Sequence, residues 1–290
     1  MKLIRSLIAN IGNLFFKKHS VSIYSNSYDN IAPHYDQTAT RNLLSQETEK
    51  LINSLVFYPK MRCLDLGCGT GHGSELIDSR VSPGGLILGC DISESMINIA
   101  KEKSKTLKTT SFVKEDMLTA LFKQKNSSFD LITSFWAIGY SNNIQKVLKE
   151  INRVLTDDGC AAILVNTQES LAEMQSIVTR IFVKNPFVLR RIPPMGFPSD
   201  LKKFKSMIKQ SELKTNSITE EMVDYSFATG DQFIHWMKTG GPCAGFKYFL
   251  RKKYEDYAFE KIKEEVDRQN GITVTFKFLR FIGGKQCINK

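Results

Sequence analysis

A doubly wound, mostly parallel α/β sheet is what this sequence predicts, and two observations predict it. From about residue 60 to 166, short apolar runs alternate with amphipathic stretches, the pattern of strands and helices in a parallel sheet. The first run opens directly into "GCGTGHG", residues 67–73, where four glycines fall within seven positions ahead of a helical pattern. The strands fall at Arg62–Leu66, Leu86–Asp91, Ser111–Lys114, Asp130–Ser134 and Ala161–Asn166. Helices are predicted near 73–79, 94–103 and 143–155, the last ended by "TDDG" at 156–159. Ser93 suits an N-cap, because its hydroxyl accepts from a free N–H of the first turn.

Beyond Asn166 the pattern changes. A helix to about residue 183 leads into "NPFVLRRIPPMGFPSD", whose four prolines and one glycine forbid regular structure. A helix over Pro198–Gln210, a strand near Lys214–Glu220 and a charged helix over about 246–268 follow. In the last strand Thr273, Thr275 and Lys277 alternate with Val274, Phe276 and Phe278, the period of two of a half-buried strand.

At 290 residues, with 42% hydrophobic and 24% charged residues, the composition is that of an ordinary globular chain with one large domain. The longest apolar runs, such as 161–165, fall far short of the roughly 20 residues that cross a bilayer. The first twenty residues carry Lys2, Arg5, Lys17 and Lys18 without an acid, at helical spacing, and lack the long apolar centre of a signal peptide. A surface arm and a weak membrane-surface contact both remain open for them. Cysteines 63, 68, 90, 160, 243 and 287 form no C-x-x-C pair and have no metal-site spacing, so no metal is expected and a reducing cytoplasm fits. The net charge of +10 concentrates between Arg180 and Lys214, where nine basic residues face two acids. That run reads either as a solvated face or as attraction for an anionic substrate, carrier protein or nucleic acid. Oligomeric state is not legible.

Glycine turns of this kind serve several ligands, and spacing separates them. A dinucleotide turn reads G-x-G-x-x-G, but counting from Gly67 and Gly69 the third position is His72, which weakens a nicotinamide reading. Asp65-Leu66-Gly67-Cys68-Gly69-Thr70-Gly71 instead resembles motif I of the class I S-adenosylmethionine-dependent methyltransferases. That ligand has no phosphate and carries an ammonium, a carboxylate and a sulfonium. Glycines let the backbone approach its amino-acid end, and the Asp65 carboxylate can order the turn and hold the ammonium. Asp91, at the end of the second strand, can accept both ribose hydroxyls, although dehydrogenases use the same position.

The resemblance extends in order along residues 61–166 and implies the seven-stranded Rossmann-like sheet with an antiparallel last strand and helical cover insertions. It places Asp116, with the Met117 N–H, at the adenine, and Ile92 and Met96 beside the nucleoside. "FDLITSFWAIGY" resembles motif IV, which puts Ser134, Phe135 and Trp136 by the sulfonium and the acceptor. "YDNIAPHYD", residues 28–36, resembles a lead-in segment that folds over the cofactor, with Tyr28 and Tyr35 as lid residues. The implied organisation is an N-terminal helical arm and lid over 1–58, then a methyltransferase domain over 59–290 with cover insertions about 169–198 and 227–270.

The C-terminal half resembles the cover of the trans-aconitate, juvenile hormone acid and malonyl-carrier-protein methyltransferases, which implies a small or carrier-tethered carboxylate as acceptor. An ionised carboxylate attacks without a general base, and Arg190, Arg191 or His235 are candidates to pair with it. Hydroxyl, amine or carbon acceptors stay open, with His34 or His235 as base and Trp136 at the reacting centre; so does a cofactor-binding protein without transferase activity. "SFWA" stands where an N-P-P-[YF] tetrad would mark methylation of adenine or amide nitrogen, and no RNA-binding module is evident. The expected product cofactor is S-adenosylhomocysteine.

Overall fold

The computed structural model describes residues 21–107, 109–190 and 196–286. The basic N-terminal twenty residues, Arg191 and Cys287 lie outside these, and with them the anticipated arm at a membrane surface. Strands β1 (Arg62–Leu66), β2 (Leu86–Asp91), β3 (Thr110–Lys114), β4 (Phe129–Phe135), β5 (Leu155–Asn166), β6 (Lys214–Phe227) and β7 (Ile272–Gly284) form one sheet. Its order is β3-β2-β1-β4-β5-β7-β6. Strands β1 to β5 pair in parallel, whereas β7 is antiparallel to both β5 and β6, so β7 alone runs against the other six. This is the doubly wound α/β sheet with an antiparallel last strand.

Ten α-helices are described: α1 (Val21–Ile31), α2 (Ala39–Asn53), α3 (His72–Val81), α4 (Glu94–Lys103), α5 (Met117–Phe122), α6 (Ile144–Val154), α7 (Ala172–Lys184), α8 (Leu201–Gln210), α9 (Gly230–Thr239) and α10 (Glu255–Arg268). Strand alternation divides the core into two layers. Cys63, Leu131, Ala162 and Leu164 pack with Leu51 and Ile52 of α2 and Ile77 and Val81 of α3. Leu64, Ile132, Ile163 and Phe281 pack on the other face with Val147, Leu148 and Ile151 of α6 and Phe204 of α8. Helix α6 reads Ile144, Val147, Leu148, Ile151, all buried, at spacings of three and four. Each such side chain stabilises the fold by about 1.5–3 kcal/mol. Asn143 starts the helix by accepting the Lys146 N–H at 3.0 Å.

A third cluster lies beyond the sheet, where α7, α9 and α10 enclose Phe233, Trp236, Phe259 and Ile262 against Val274 and Phe276 of β7. Three expectations need correction, and one helix was not anticipated. Strand β5 starts at Leu155, because Leu155 pairs with Phe129 and the ladder resumes at Cys160 opposite Leu131, which absorbs "TDDG" into the strand. Strand β6 continues to Phe227, because residues 221–227 remain paired with β7. The charged helix begins only at Glu255: Leu189 bridges to Leu250 and the Arg251 N–H donates to the Val188 carbonyl, pairing that a helix would forbid. Helix α5 was not anticipated; Asp116 caps it.

Candidate active site

Strands β1 and β4 are neighbours whose crossovers lead in opposite directions, one to β2 and β3, the other to β5. Ligands of doubly wound sheets bind in the crevice beyond the strand ends at this switch point. A cavity of about 840 Å³, counted with its open mouth, lies there.

The glycine turn forms its floor. The N–H groups of Gly67 and Cys68 donate to the Cys90 carbonyl at 2.8 and 3.0 Å, tying the turn to β2. Gly67 and Gly69 take φ of 75° and 54°, where only glycine is at ease. A Cβ on Gly67 would stand 2.2 Å from the Ala137 Cβ, while one on Gly69 would meet nothing within 4 Å and would project into open space. The turn thus presents bare backbone to a ligand.

Asp91 receives the Gly69 N–H on Oδ2 at 3.0 Å and the Ser93 N–H on Oδ1 at 2.9 Å. Each oxygen keeps capacity for one more donor, the arrangement a vicinal diol needs. Burial raises the Asp91 pKa, opposed by those two N–H groups. Asp65 is 2% exposed. It accepts the Ser74 and Thr133 hydroxyls, each at 2.8 Å. Burial pushes its pKa up to about 6, against the pull of the two hydroxyls and with help from the Asp91 charge. Asp116 Oδ1 accepts the Leu118 and Thr119 N–H groups as the cap of α5, and the residue lines the cavity.

Helix α1, the 3-10 turn Ala32–Gln37 and α2 close over this floor and are fastened to it. Asp29 accepts the Ser93 hydroxyl at 2.6 Å and the Ser95 N–H at 3.0 Å. Asp36 accepts the Thr70 hydroxyl at 2.8 Å and pairs with Lys103. Tyr28 and Tyr35 meet edge to face at 6.2 Å and line the cavity. Burial raises the pKa of both phenols, so they stay protonated.

An adjoining compartment shares Tyr35, Leu44, Gly67, Gly69, Phe135 and Trp136 with the main cavity and adds Arg41, Thr48, Asp65 and His72. Burial lowers the His72 pKa and keeps the ring neutral near pH 7; its Nε2 is buried without a hydrogen-bond partner among the described residues. Arg41 lies 5.7 Å over the Tyr35 ring and 3.5 Å from Asp36.

Of the residues singled out from sequence, Tyr28, Tyr35, Gly67, Gly69, Asp91 and Ile92 line the main cavity. Met96, Asp116, Met117, Phe135 and Trp136 join them, while Asp65 and Cys68 line only the adjoining compartment. Gly71 and Ser134 line neither: Gly71 precedes α3 with φ 89°, and the Ser134 hydroxyl donates to the Leu66 carbonyl at 2.9 Å. The two histidines are not brought to the site, because His34 is exposed on its 3-10 turn and His235 lies on the exposed side of α9. Arg190 is exposed as well.

Trp136 holds φ of 64°, a conformation that is strained in a residue of its size. Three contacts hold it: its N–H to the Leu164 carbonyl at 2.8 Å, its indole N–H to Thr48 Oγ1 at 3.0 Å and its ring against Phe278 at 4.9 Å. Arg41, Leu44, Tyr140, Asn166 and Pro242 also line the crevice and were not anticipated. Tyr140 ends the stretch that resembles motif IV but was not singled out within it; no motif marks the other four, which come from α2, the end of β5 and the turn Gly241–Cys243 and meet only when the chain folds.

Residues 58–217 match the family model described as a methyltransferase domain. The chain belongs to this methyltransferase family. Among its curated relatives is a demethylmenaquinone methyltransferase of Staphylococcus aureus, 28% identical over 160 residues, a match covering 53% of this chain and 65% of that protein. The matched stretch thus spans just under two thirds of that relative's length. The fold of this methyltransferase-family chain is shared by the YcgJ protein of Bacillus subtilis, with a TM-score of 0.58 at 16% identity, covering 83% of this chain and 99% of that one. It is shared too by geranyl diphosphate C-methyltransferase of Streptomyces coelicolor, with a TM-score of 0.52 at 13% identity, covering 84% and 80%.

Proposed function

We propose that this chain transfers a methyl group from S-adenosylmethionine to a small, uncharged organic acceptor. The observation that carries the reading is the pairing of Asp91 with Gly69: two carboxylate oxygens, each already fixed by one backbone N–H, stand at the rim of a left-handed turn whose α-carbon faces open space. A ribose diol fits those oxygens and the amino-acid end of the cofactor fits the bare turn. When bound, the cofactor supplies an electrophilic methyl on a sulfonium. Asp116 and the Met117 N–H would take the adenine edge. Asp65 would face the ammonium, and Arg41 with neutral His72 the carboxylate, of the methionine end. The faces of Phe135 and Trp136 attract a sulfonium and keep water from it. Residues 21–58 would then serve as the lid.

The acceptor lies across the turn from the nucleoside, at the ends of β4 and β5. The wall there is Leu44, Trp136, Ala137, Tyr140, Ser141, Asn166 and Pro242, and none of these carries charge. A carboxylate acceptor, anticipated from sequence, would find no cation among the described residues of that wall. The name of the curated relatives, demethylmenaquinone methyltransferase, agrees with an apolar acceptor.

Calorimetric titration with S-adenosylhomocysteine, followed by transfer of labelled methyl from S-adenosylmethionine to neutral ring compounds and to acids, tests the reading. Saturable binding and label in a neutral compound are expected. Saturation by a nicotinamide dinucleotide in place of S-adenosylhomocysteine would reject it.

A further inference from the structure

Two segments of the chain, 183–190 and 247–257, are laced together away from the crevice. Leu189 bridges to Leu250, the Arg190 N–H donates to the Phe249 carbonyl at 2.7 Å, and the Tyr257 hydroxyl donates to Asn185 Oδ1 at 2.9 Å. Phe187 meets Tyr254 edge to face at 4.9 Å and lies 6.0 Å from the Tyr257 ring. Large apolar groups stand in water on this shared surface: Val183, in the last turn of α7, is 63% exposed, Phe187 42% and Tyr257 38%. Lys184, Arg190, Lys247, Arg251, Lys252 and Lys253 stand among them, all exposed. No acid falls within 183–190 or 247–254. Glu255, Asp256 and Glu260 of α10 come next and are too few to neutralise the patch, while Glu264 and Glu265 are turned to Lys261 at 2.7 Å and Arg180 at 3.1 Å. A merely solvated face mixes both signs and exposes few large apolar groups; this one does neither.

We propose that this surface docks on an anionic lipid bilayer, an inference that goes beyond methyl transfer and does not rest on the cofactor reading. Val183 and Phe187 enter the headgroup boundary, and the cations stay level with the lipid phosphates while their alkyl stems follow the apolar groups inward. Tyrosine suits that depth, with an apolar ring and a polar hydroxyl. Nucleic acid is the competing polyanion, and the rings argue against it. Base stacking needs an open aromatic face, yet Lys247 lies 5.6 Å over the Tyr248 ring, Lys253 4.7 Å over Tyr254 and Lys261 5.8 Å over Tyr257. Aliphatic Val183 offers a base nothing to stack on, whereas it gains by leaving water for a bilayer. The surface is also tethered near the crevice: Pro242 lines the cavity, and the chain from there to Lys247 spans at most roughly 18 Å. Docking would therefore hold the acceptor half of the crevice close to the lipid.

Co-sedimentation of the full chain with vesicles of phosphatidylcholine alone, or of equal parts phosphatidylcholine and phosphatidylglycerol, tests this. Binding to the mixed vesicles and not to the neutral ones is expected. Losing one lysine near such a surface weakens binding about fivefold, so Lys252→Gln with Lys253→Gln should cost about 25-fold. Val183→Ser, which alters no charge, should weaken it severalfold. Lys202→Gln with Lys203→Gln removes the same charge from the exposed face of α8 and should change affinity by less than about twofold. No binding to the mixed vesicles, equal binding to the neutral ones, a 252/253 pair that loses no more than the α8 pair, or an unaltered affinity after Val183→Ser would overturn the inference. Saturable binding of an oligouridylate that the 252/253 pair abolishes, with no vesicle binding, would make the surface a nucleic-acid site instead. Should that double variant fail to fold, Lys184→Gln with Lys247→Gln puts the same question to the same surface.

Discussion

At the ends of β1, β2 and β3 each carboxylate named for the cofactor is already engaged by the protein: Asp65 by two hydroxyls, Asp91 by two N–H groups, Asp116 by the cap of α5. At the ends of β4 and β5 the described lining residues are uncharged, Trp136 is held in a strained conformation and the Asn166 oxygen has no partner among the described residues. The first half is organised before any ligand arrives. The second has one polar demand left unmet. A charged group on a ligand is held best by partners whose own geometry is fixed in advance, whereas selection of a neutral molecule rests on shape and on one donor or acceptor that only the right partner satisfies.

The largest expected effect lies in the organised half. Asp91→Ala should weaken S-adenosylhomocysteine and 5′-methylthioadenosine alike, by about 1.5–3 kcal/mol for each charge-assisted bond lost. Calorimetry checks it, and an unchanged affinity would remove Asp91 from the ribose.

Asp65 comes next. Its pKa of about 6 lies above the ordinary carboxylate value of 3.8, so the folded chain holds a proton there that the unfolded chain has lost. Stability of the ligand-free protein should therefore fall as pH rises from about 4 to 6, by at most about 3 kcal/mol, and then level off. Ammonium binding favours the ionised carboxylate, so affinity for S-adenosylhomocysteine should decline as pH drops below about 6. Asp65→Asn should raise the melting temperature of the ligand-free protein at pH 7 by a few degrees and abolish that pH dependence. Thermal melts and titrations across pH read both signs.

Arg41→Met sharpens the division within the cofactor half. It should weaken S-adenosylhomocysteine about tenfold yet leave 5′-methylthioadenosine, which lacks the amino-acid end, unaffected. Equal loss for both ligands would deny Arg41 a part in holding the carboxylate. The smallest effect is expected from His34→Ala and His235→Ala, which should change stability by less than about 0.5 kcal/mol and leave turnover unaltered. A large loss of turnover in either variant would break the comparison by placing a base where the structure shows exposed surface.

Much of the fold was legible because short-range rules govern it. Strands β1 and β2 fall where their apolar runs end, Ser93 caps α4 with its hydroxyl 3.2 Å from the Met96 N–H, and the glycines at 67 and 69 take the positive φ their spacing implies. Strand β6 was cut short at Glu220 although Val223, Tyr225 and Phe227 turn inward in alternation with exposed Asp224 and Ser226, a period of two that was there to be read. The helix over 246–254 was overcalled because pairing of Leu189 with Leu250 outweighs local helical periodicity.

By itself the sequence determined the sheet, the glycine turn and the acids at successive strand ends, because each depends on residues within one strand–turn–helix unit, where spacing maps directly onto geometry. Only the tertiary structure brought Leu44 of α2, Trp136 and Asn166 at two strand ends and Pro242 together around one cavity, and only it left His34 and His235 outside. Residues that far apart in the chain have no shared periodicity; packing brings them together, and whether a polar atom finds a partner is known only once every neighbour is in place.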